Sequence, residues 1–515
     1  MKNSSDSANS YVFSVYTLAC LLNFYSMLAQ FVSHACSVLI ACLLSFFHML
    51  AQFLRTYILD ELPFSPNEGQ AELLDKLTEF LVDSDVHKAF LLKGYAGTGK
   101  TSVISALVRA LERLRQPCVM LAPTGRAAKV IAAYSGRSAY TIHKKIYRQK
   151  KLGEERFLLN DNLHQRTLFI IDEASMINNQ QQFDSPFGSG NLLSDLIQYV
   201  YNGRGCSLLL IGDTAQLPPV GQIESAALCE EALCGYGLHV RQHLLTQVAR
   251  QALDSGILKN ATDIRQQLQA GEIALLPHFS TEGFSDIRQL SATDFLETIE
   301  HSYSEVGMEN TVILTRSNWA TNMYNQGVRT QILWKEELLS GGDRLMVSKN
   351  NYFWTEQYDN LDFLANGDLL DVLRVRNERE IYGFHFADVS LKSVDYDYEI
   401  DVTLWLDTLT TESPDKNYVM QQQLWQKIAE DYPEIRNKRE LWKTIMQSPY
   451  YNALQVRFAY AVTCHKAQGG QWKHVYIDPG KVDDEHLGEE FYRWLYTALT
   501  RAQEQVYLLN FPADK

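Results

Sequence analysis

Apolar and polar positions change rhythm twice along this chain. From about Ile58 to Gly221, short apolar runs closed by turn residues alternate with stretches of helical spacing. Ala89–Lys93, Cys118–Ala122, Thr167–Asp172 and Ser207–Gly212 are such runs. Each is nearly continuous in apolar residues, as strands covered on both faces are. Alternation of this kind predicts an α/β fold with a parallel sheet. A second series starts near Leu244, includes Thr311–Thr315, and resumes at Val456–Thr463, His474–Asp478 and Gln505–Asn510. Between Met346 and Tyr450 the texture differs: β-rich patches at Leu369–Val375 and Glu399–Trp405 precede a charged helical stretch, Gln421–Met446. The pattern therefore divides the chain into a first α/β domain over 58–243 and a second over 244–345 and 451–515. A small β-rich insertion occupies 346–450 of the second.

Residues 1–57 stand apart as a hydrophobic N-terminal tail. No Asp, Glu, Lys or Arg lies between Asp6 and Arg55, and residues 19–31 are nearly copied at 41–53. A membrane-spanning helix needs roughly 20 apolar residues, and Tyr11–Ser33 and Ala35–Phe53 each offer such a length. The run is too long for a cleavable signal peptide and has no clear cleavage site. Two readings stand open. One is a membrane hairpin or hydrophobic docking segment over 11–53. The other is a start codon set too early, which appends a translated duplication to an ordinary enzyme. Nothing downstream requires the tail.

Composition narrows the class. The chain is 46% hydrophobic with 28 Gly and 13 Pro, the profile of a globular protein rather than a disordered one. A formal charge of −14 gives no global attraction to nucleic acid, so any such site must be a local basic groove. The eight cysteines show no paired CxxC spacing. They read as buried thiols in a reducing compartment, which predicts a cytoplasmic protein without structural zinc or disulfides.

Two local motifs carry chemistry. Gly94, Gly99, Lys100 and Thr101 complete the pattern G-x-x-x-x-G-K-[ST] between a predicted strand and a predicted helix, Ser102–Arg115. In such a loop the backbone N–H groups from Gly94 through Ala96, Gly97, Thr98 and Gly99 to Ser102 turn inward around phosphates, aided by the helix N-terminus. Lys100 would reach the β- and γ-phosphates of ATP, and the Thr101 hydroxyl would ligate Mg2+. Asp172 and Glu173 follow the apolar run from Thr167, at the strand end where open α/β sheets bind ligands. Asp172 would hold Mg2+, and Glu173 would orient and deprotonate the attacking water.

Four further motifs appear in order: 122–129 (APTGRAAK), 212–221 (GDTAQLPPVG), 460–469 (YAVTCHKAQG) and 496–502 (YTALTRA). Together with the first two they resemble the RecD-like group of superfamily 1 helicases, the branch that moves 5′ to 3′, over about residues 60 to 510. The resemblance implies two RecA-like P-loop domains with a small β-barrel-like insertion in the second, and a short β-hairpin wedge near 145–166, its tip at Gly153-Glu154-Glu155. It also implies several residue roles. Gln70 would read adenine, although a solvated helix residue fits that position too. Gln216 would sense the γ-phosphate. Arg250 and Arg501 would reach from the second domain to the γ-phosphate, where a guanidinium stabilises spread negative charge. For Arg250 a surface salt bridge is the alternative.

Arg126 to Gly153 contains no acidic residue but holds Arg126, Lys129, Arg137, Lys144, Lys145, Arg148, Lys150 and Lys151. Such a run neutralises backbone phosphates or forms a solvated face. Thr124, Arg126, His143, Arg316, Asn318, Thr463, His465 and Lys466 match family positions that touch a DNA strand, with groups that position it rather than read its bases. Tyr140 and Trp319 are either base-stacking groups or core. The resulting expectation is a monomeric motor on single-stranded and forked DNA, associated with the nucleoid and with recombination or repair proteins. Two alternatives remain: a single-strand translocase that displaces proteins without unwinding, and a regulatory nucleotide-binding module that does not hydrolyse.

Overall fold

The computed structural model describes residues 45–149, 157–182, 185–248, 254–273, 276–355, 358, 361, 363–411, 414–482 and 487–511. The first domain is a six-stranded, all-parallel sheet in the order β3-β2-β6-β7-β1-β8. Its strands are β1 (Lys88–Gly94), β2 (Cys118–Ala122), β3 (Ala139–Thr141), β6 (Leu168–Ile171), β7 (Ser207–Gly212) and β8 (His239–Leu245). Both faces are covered, and β1 shows why its sequence reads as a continuous apolar run. Ala89 and Leu91 enter the core on one face, Phe90 and Leu92 the core on the other. The helices of this domain are α1 (45–61), α2 (Glu68–Val82), α3 (Lys100–Arg113), α4 (Gly125–Ser135), α5 (Ile142–Ile146), α6 (Leu192–Asn202) and α7 (Glu230–Cys234). Within 145–166, β4 (Tyr147–Gln149) pairs antiparallel with β5 (Phe157–Leu159), and the predicted tip at Gly153-Glu154-Glu155 lies outside the described residues.

The second domain repeats the plan with five parallel strands in the order β16-β10-β17-β18-β9. These are β9 (Ile287–Leu290), β10 (Thr311–Thr315), β16 (Ala461–Thr463), β17 (Trp472–Asp478) and β18 (Ala502–Leu509), with α8 (Gly256–Ala270), α9 (Phe295–Glu305), α10 (Asn318–Gly327), α13 (Cys464–Ala467) and α14 (Glu489–Leu499). The insertion is a five-stranded antiparallel sheet, β14-β13-β12-β11-β15, capped by α11 (Pro414–Ala429) and α12 (Lys438–Met446). Its strands are β11 (Arg344–Val347), β12 (Leu369–Ile381), β13 (Phe384–Ser393), β14 (Glu399–Trp405) and β15 (Val456–Phe458).

Two predicted boundaries move. Leu244 and Leu245 close the first sheet by pairing with Lys93 and Gly94, so the second series begins after them. The insertion's sheet runs from Arg344 to Phe458 rather than 346–450, because β11 and β15 form its base. The apolar run Val456–Thr463 is not one strand. The Asn325 side-chain oxygen accepts the N–H groups of Tyr460 (3.0 Å) and Ala461 (2.8 Å) at the point where the chain leaves the antiparallel sheet and enters the parallel one. Both flanking strands are buried, so the periodicity cannot register the change.

Candidate functional site

A cleft of about 640 Å³ opens between the two parallel-sheet domains. Gly97, Gly99, Lys100, Thr101, Ser102, Asp172, Glu173 and Gln216 line it from the first, and Thr500 and Arg501 from the second. The phosphate loop joins β1 to α3. Gly99 caps α3 at φ +83°, and a Cβ there would stand 2.5 Å from Gln70 Nε2, so both conformation and space call for glycine. Lys100 donates to the carbonyls of Gly94 and Tyr95 (2.9 Å to the latter), folding its ammonium back over the loop. Gln70 is buried, and its amide is engaged with protein. Oε1 accepts the Asn67 N–H (3.1 Å) as half of a capping box, and Nε2 donates to Thr98 O (3.0 Å). The residue matched to adenine reading thus also braces the phosphate loop.

Asp172 and Glu173 follow β6. Burial, and then the charge of Glu173, push the Asp172 carboxyl up to about 6, although it accepts the Glu173 N–H at 2.9 Å. Glu173 takes a left-handed conformation, φ 51°, which is unusual for a side-chain-bearing residue. Gln216 is buried with its Oε1 unpartnered. From across the cleft, Arg501 points inward, with Nη1 3.4 Å from Glu173 Oε1. Arg250 lies outside the described residues.

One stripe of α14 makes a further set of contacts across the cleft. Arg493 donates to the carbonyl oxygens of Thr214 and Gln216 (3.4 Å to the latter). The Tyr496 hydroxyl donates to Asp213 Oδ2 (2.7 Å) and accepts the Ala96 N–H (2.8 Å), and Thr497 Oγ1 accepts the Leu217 N–H (2.9 Å). The roles taken from the motifs left out Arg493, Tyr496 and Thr497. Their spacing, i, i+3, i+4, marks a polar stripe on an otherwise apolar helix and was the available signal.

A second cavity, about 240 Å³, separates the first domain from the insertion. Thr124, Arg126, His143 and Lys466 line it together with Asn366–Asp368. Thr124 caps α4, accepting the Ala127 N–H at 3.2 Å. Arg126 lies 3.9 Å over the Trp472 ring, and burial lowers it to about 10. Burial holds His143 down to about 4, so its ring is neutral at physiological pH. Burial, and then Arg457, bring Lys466 down to about 8, while burial raises Asp368 to about 7.

The other strand-contact matches lie elsewhere. Arg316 stands 5.2 Å over Phe491, and Asn318 accepts from Arg457 at 3.1 Å. Thr463 caps α13, which carries His465 and Lys466. Arg457 was missed by the sequence reading; it is buried, and its Nε has no partner. Tyr140 and Trp319 are both exposed, Trp319 by 62%, which removes the core reading for each. The basic run is partly paired, Arg148 with Asp161 and Lys129 with Asp395, while Lys150 and Lys151 lie outside the described residues. Next to Lys129, the Tyr396 hydroxyl stands 2.8 Å from where a Cβ on Gly125 would sit.

Comparison with known proteins follows this geometry. Residues 65–284 match an AAA domain, and residues 458–509 match the UvrD-like helicase C-terminal domain. An uncharacterized protein of Acanthamoeba polyphaga mimivirus is 23% identical over 85% of this chain and 99% of its own length. The ATP-dependent RecD2 DNA helicase of Deinococcus radiodurans is 33% identical over 38% of this chain, an alignment that spans 23% of that helicase. A crystal structure of Pif1 helicase from Bacteroides with ADP-AlF3 and ssDNA aligns over 87% of this chain and 93% of its own, at 15% identity and a TM-score of 0.42. Fold and cleft together define a nucleotide-using P-loop enzyme with two RecA-like domains. Within that class, the two matched domains and the RecD2 relative support a superfamily 1 helicase of the RecD/Pif1-like kind.

Proposed function

We propose that this protein is an ATP-dependent DNA helicase that couples hydrolysis to 5′-to-3′ movement on single-stranded DNA and to unwinding of forked duplexes. One observation carries the reading: Lys100, Asp172, Glu173 and Gln216 on one lobe face Arg501 on the other across a single cleft. Glu173 would take a proton from water, and Arg501 would meet charge that develops on the γ-phosphoryl oxygens. Hydrolysis removes the anion between Lys100 and Arg501, which weakens the hold between lobes and changes the grip on the strand.

A divalent cation fits the first-lobe donors. Desolvation and the neighbouring Glu173 raise the Asp172 carboxyl, which a divalent cation would offset, and the Thr101 hydroxyl shares the cleft. Thr101 and Asp172 would hold Mg2+, which supplies charge neutralisation at the phosphates when bound. The strand would run past Thr124, Arg126, His143 and Lys466, then past Arg316, Asn318, Thr463 and His465, with β4-β5 as the wedge. The protein would act as a monomer in the cytoplasm at the nucleoid, beside recombination or repair proteins. The exposed apolar side of α1, at Phe46, Met49, Leu50 and Phe53, supports reading 11–53 as a hydrophobic docking segment.

Lys100→Ala is expected to abolish phosphate release stimulated by single-stranded DNA, and unchanged turnover would refute the site. Faster unwinding of 3′-tailed than of 5′-tailed duplexes would refute the polarity. Displacement of streptavidin without unwinding would leave a translocase.

A further inference from the structure

We propose that Tyr496 is a positioning residue that ties the phosphate loop to the turn carrying Gln216, so that closure of the cleft and sensing of the γ-phosphate are one event. The inference rests on the reading of the cleft as an ATPase site and assigns a role to a side chain that reading does not use.

Tyr496 is 1% exposed, and its ring is part of the second-domain core around Phe491, Trp494 and Leu495. A tyrosine serving only that core would bond within its own lobe. This one spends both capacities of its hydroxyl on the other lobe, donating to Asp213 and accepting from the backbone of Ala96. Burial and the nearby Asp213 carboxylate keep the phenol protonated, so it remains a donor.

The two partners matter for what they hold. Ala96 precedes Gly97, Thr98, Gly99 and Lys100, the backbone that cradles phosphate. Asp213 accepts the Ala215 N–H at 2.9 Å through its side chain and the Gln216 N–H at 3.3 Å through its carbonyl, and so shapes the turn from which Gln216 enters the cleft. The same turn is held on either side by Arg493 and Thr497. One hydroxyl therefore joins phosphate loop, sensor turn and second lobe. Parting of the lobes breaks both bonds at once, leaving an amide and a buried carboxyl to be satisfied by water.

Tyr496→Phe keeps the ring and removes only the hydroxyl. The measurements are thermal midpoint, affinity for a fluorescent ATP analogue, kcat and KM with saturating single-stranded DNA, and lobe separation read by a donor–acceptor dye pair on the two domains. The expected result is an unchanged unfolding midpoint and analogue affinity within about twofold. With these, strand-stimulated kcat falls about 10- to 100-fold, the cost of losing a hydrogen bond to a charged group, and the analogue no longer closes the lobes fully. In an Asp213→Ala background the same change is expected to cost little more.

Full closure and parental kcat in Tyr496→Phe would overturn the inference. So would a loss of equal size with and without Asp213. A parent that closes on the analogue but does not hydrolyse would refute the ATPase reading alone, since the closure measurement still decides the role of Tyr496.

Discussion

The two cavities treat charge in opposite ways. In the nucleotide cleft two carboxylates already have partners drawn from the facing lobe: Glu173 beside Arg501, and Asp213 under the Tyr496 hydroxyl. In the cavity beside the insertion, Arg126 is half-buried and Lys466 exposed, and neither has an ion pair among the described residues. Desolvation holds both below their usual ranges. A partly desolvated cation without a carboxylate in contact gains from an incoming phosphate, because part of the desolvation cost is already met. The cleft already holds contacts between the lobes, and the second cavity presents cations that lack a carboxylate partner.

The contrast breaks first at Arg501. Arg501→Ala is expected to lower strand-stimulated kcat by about 10³-fold or more, the effect typical of a lost arginine at a transferring phosphoryl group. Strand affinity without nucleotide should hold. Equal damage to both in a fluorescence-anisotropy titration would show that the two cavities are not separable.

Trp319→Ala addresses the other side. The exposed indole begins the α10 face beside Asn318, and losing one stacked base costs about 1–3 kcal/mol, or roughly tenfold or more in strand affinity. Basal ATP affinity should stay as it was, and an unaltered strand titration would return Trp319 to the role of a surface residue.

The smallest expected effect concerns pH. Lys466 carries its charge below about 8 and loses it above, while Asp368 gains a negative charge as pH rises through about 7. Both changes work against a phosphate backbone, so strand affinity should weaken from pH 7 to pH 9. Lys466→Arg should flatten the upper part of that profile. Lys466→Ala should reduce the slope of affinity against salt by about 1. A profile indifferent to both substitutions would place the strand elsewhere.

The parts of this molecule legible in sequence were those encoded within one short stretch. The phosphate loop and the Asp172-Glu173 pair need only a strand, a turn and a few fixed residues. Arg501 and Gln216 were placed through a resemblance, because nothing local says that two segments this far apart face each other. The α14 stripe was missed although its spacing is visible, since polar residues three and four apart on a helix usually face water. Arg457 was hidden in an apolar run that serves two sheets. The edge strands β3 and β9 are three and four residues long, too short to show a period. The insertion's borders shifted because its first and last strands lie in segments whose burial matches that of the neighbouring domain.

Gly125 has a mechanical corollary. The insertion is joined by chain to the second lobe alone, yet its Tyr396 leans on the first, its hydroxyl 2.8 Å from where a Cβ at 125 would sit. Relative motion of the lobes therefore drags this tyrosine across the head of α4, beside the ion pair of Lys129 with Asp395. A methyl group at 125 would act as a shim, pressing the Tyr396 side chain away from the head of α4.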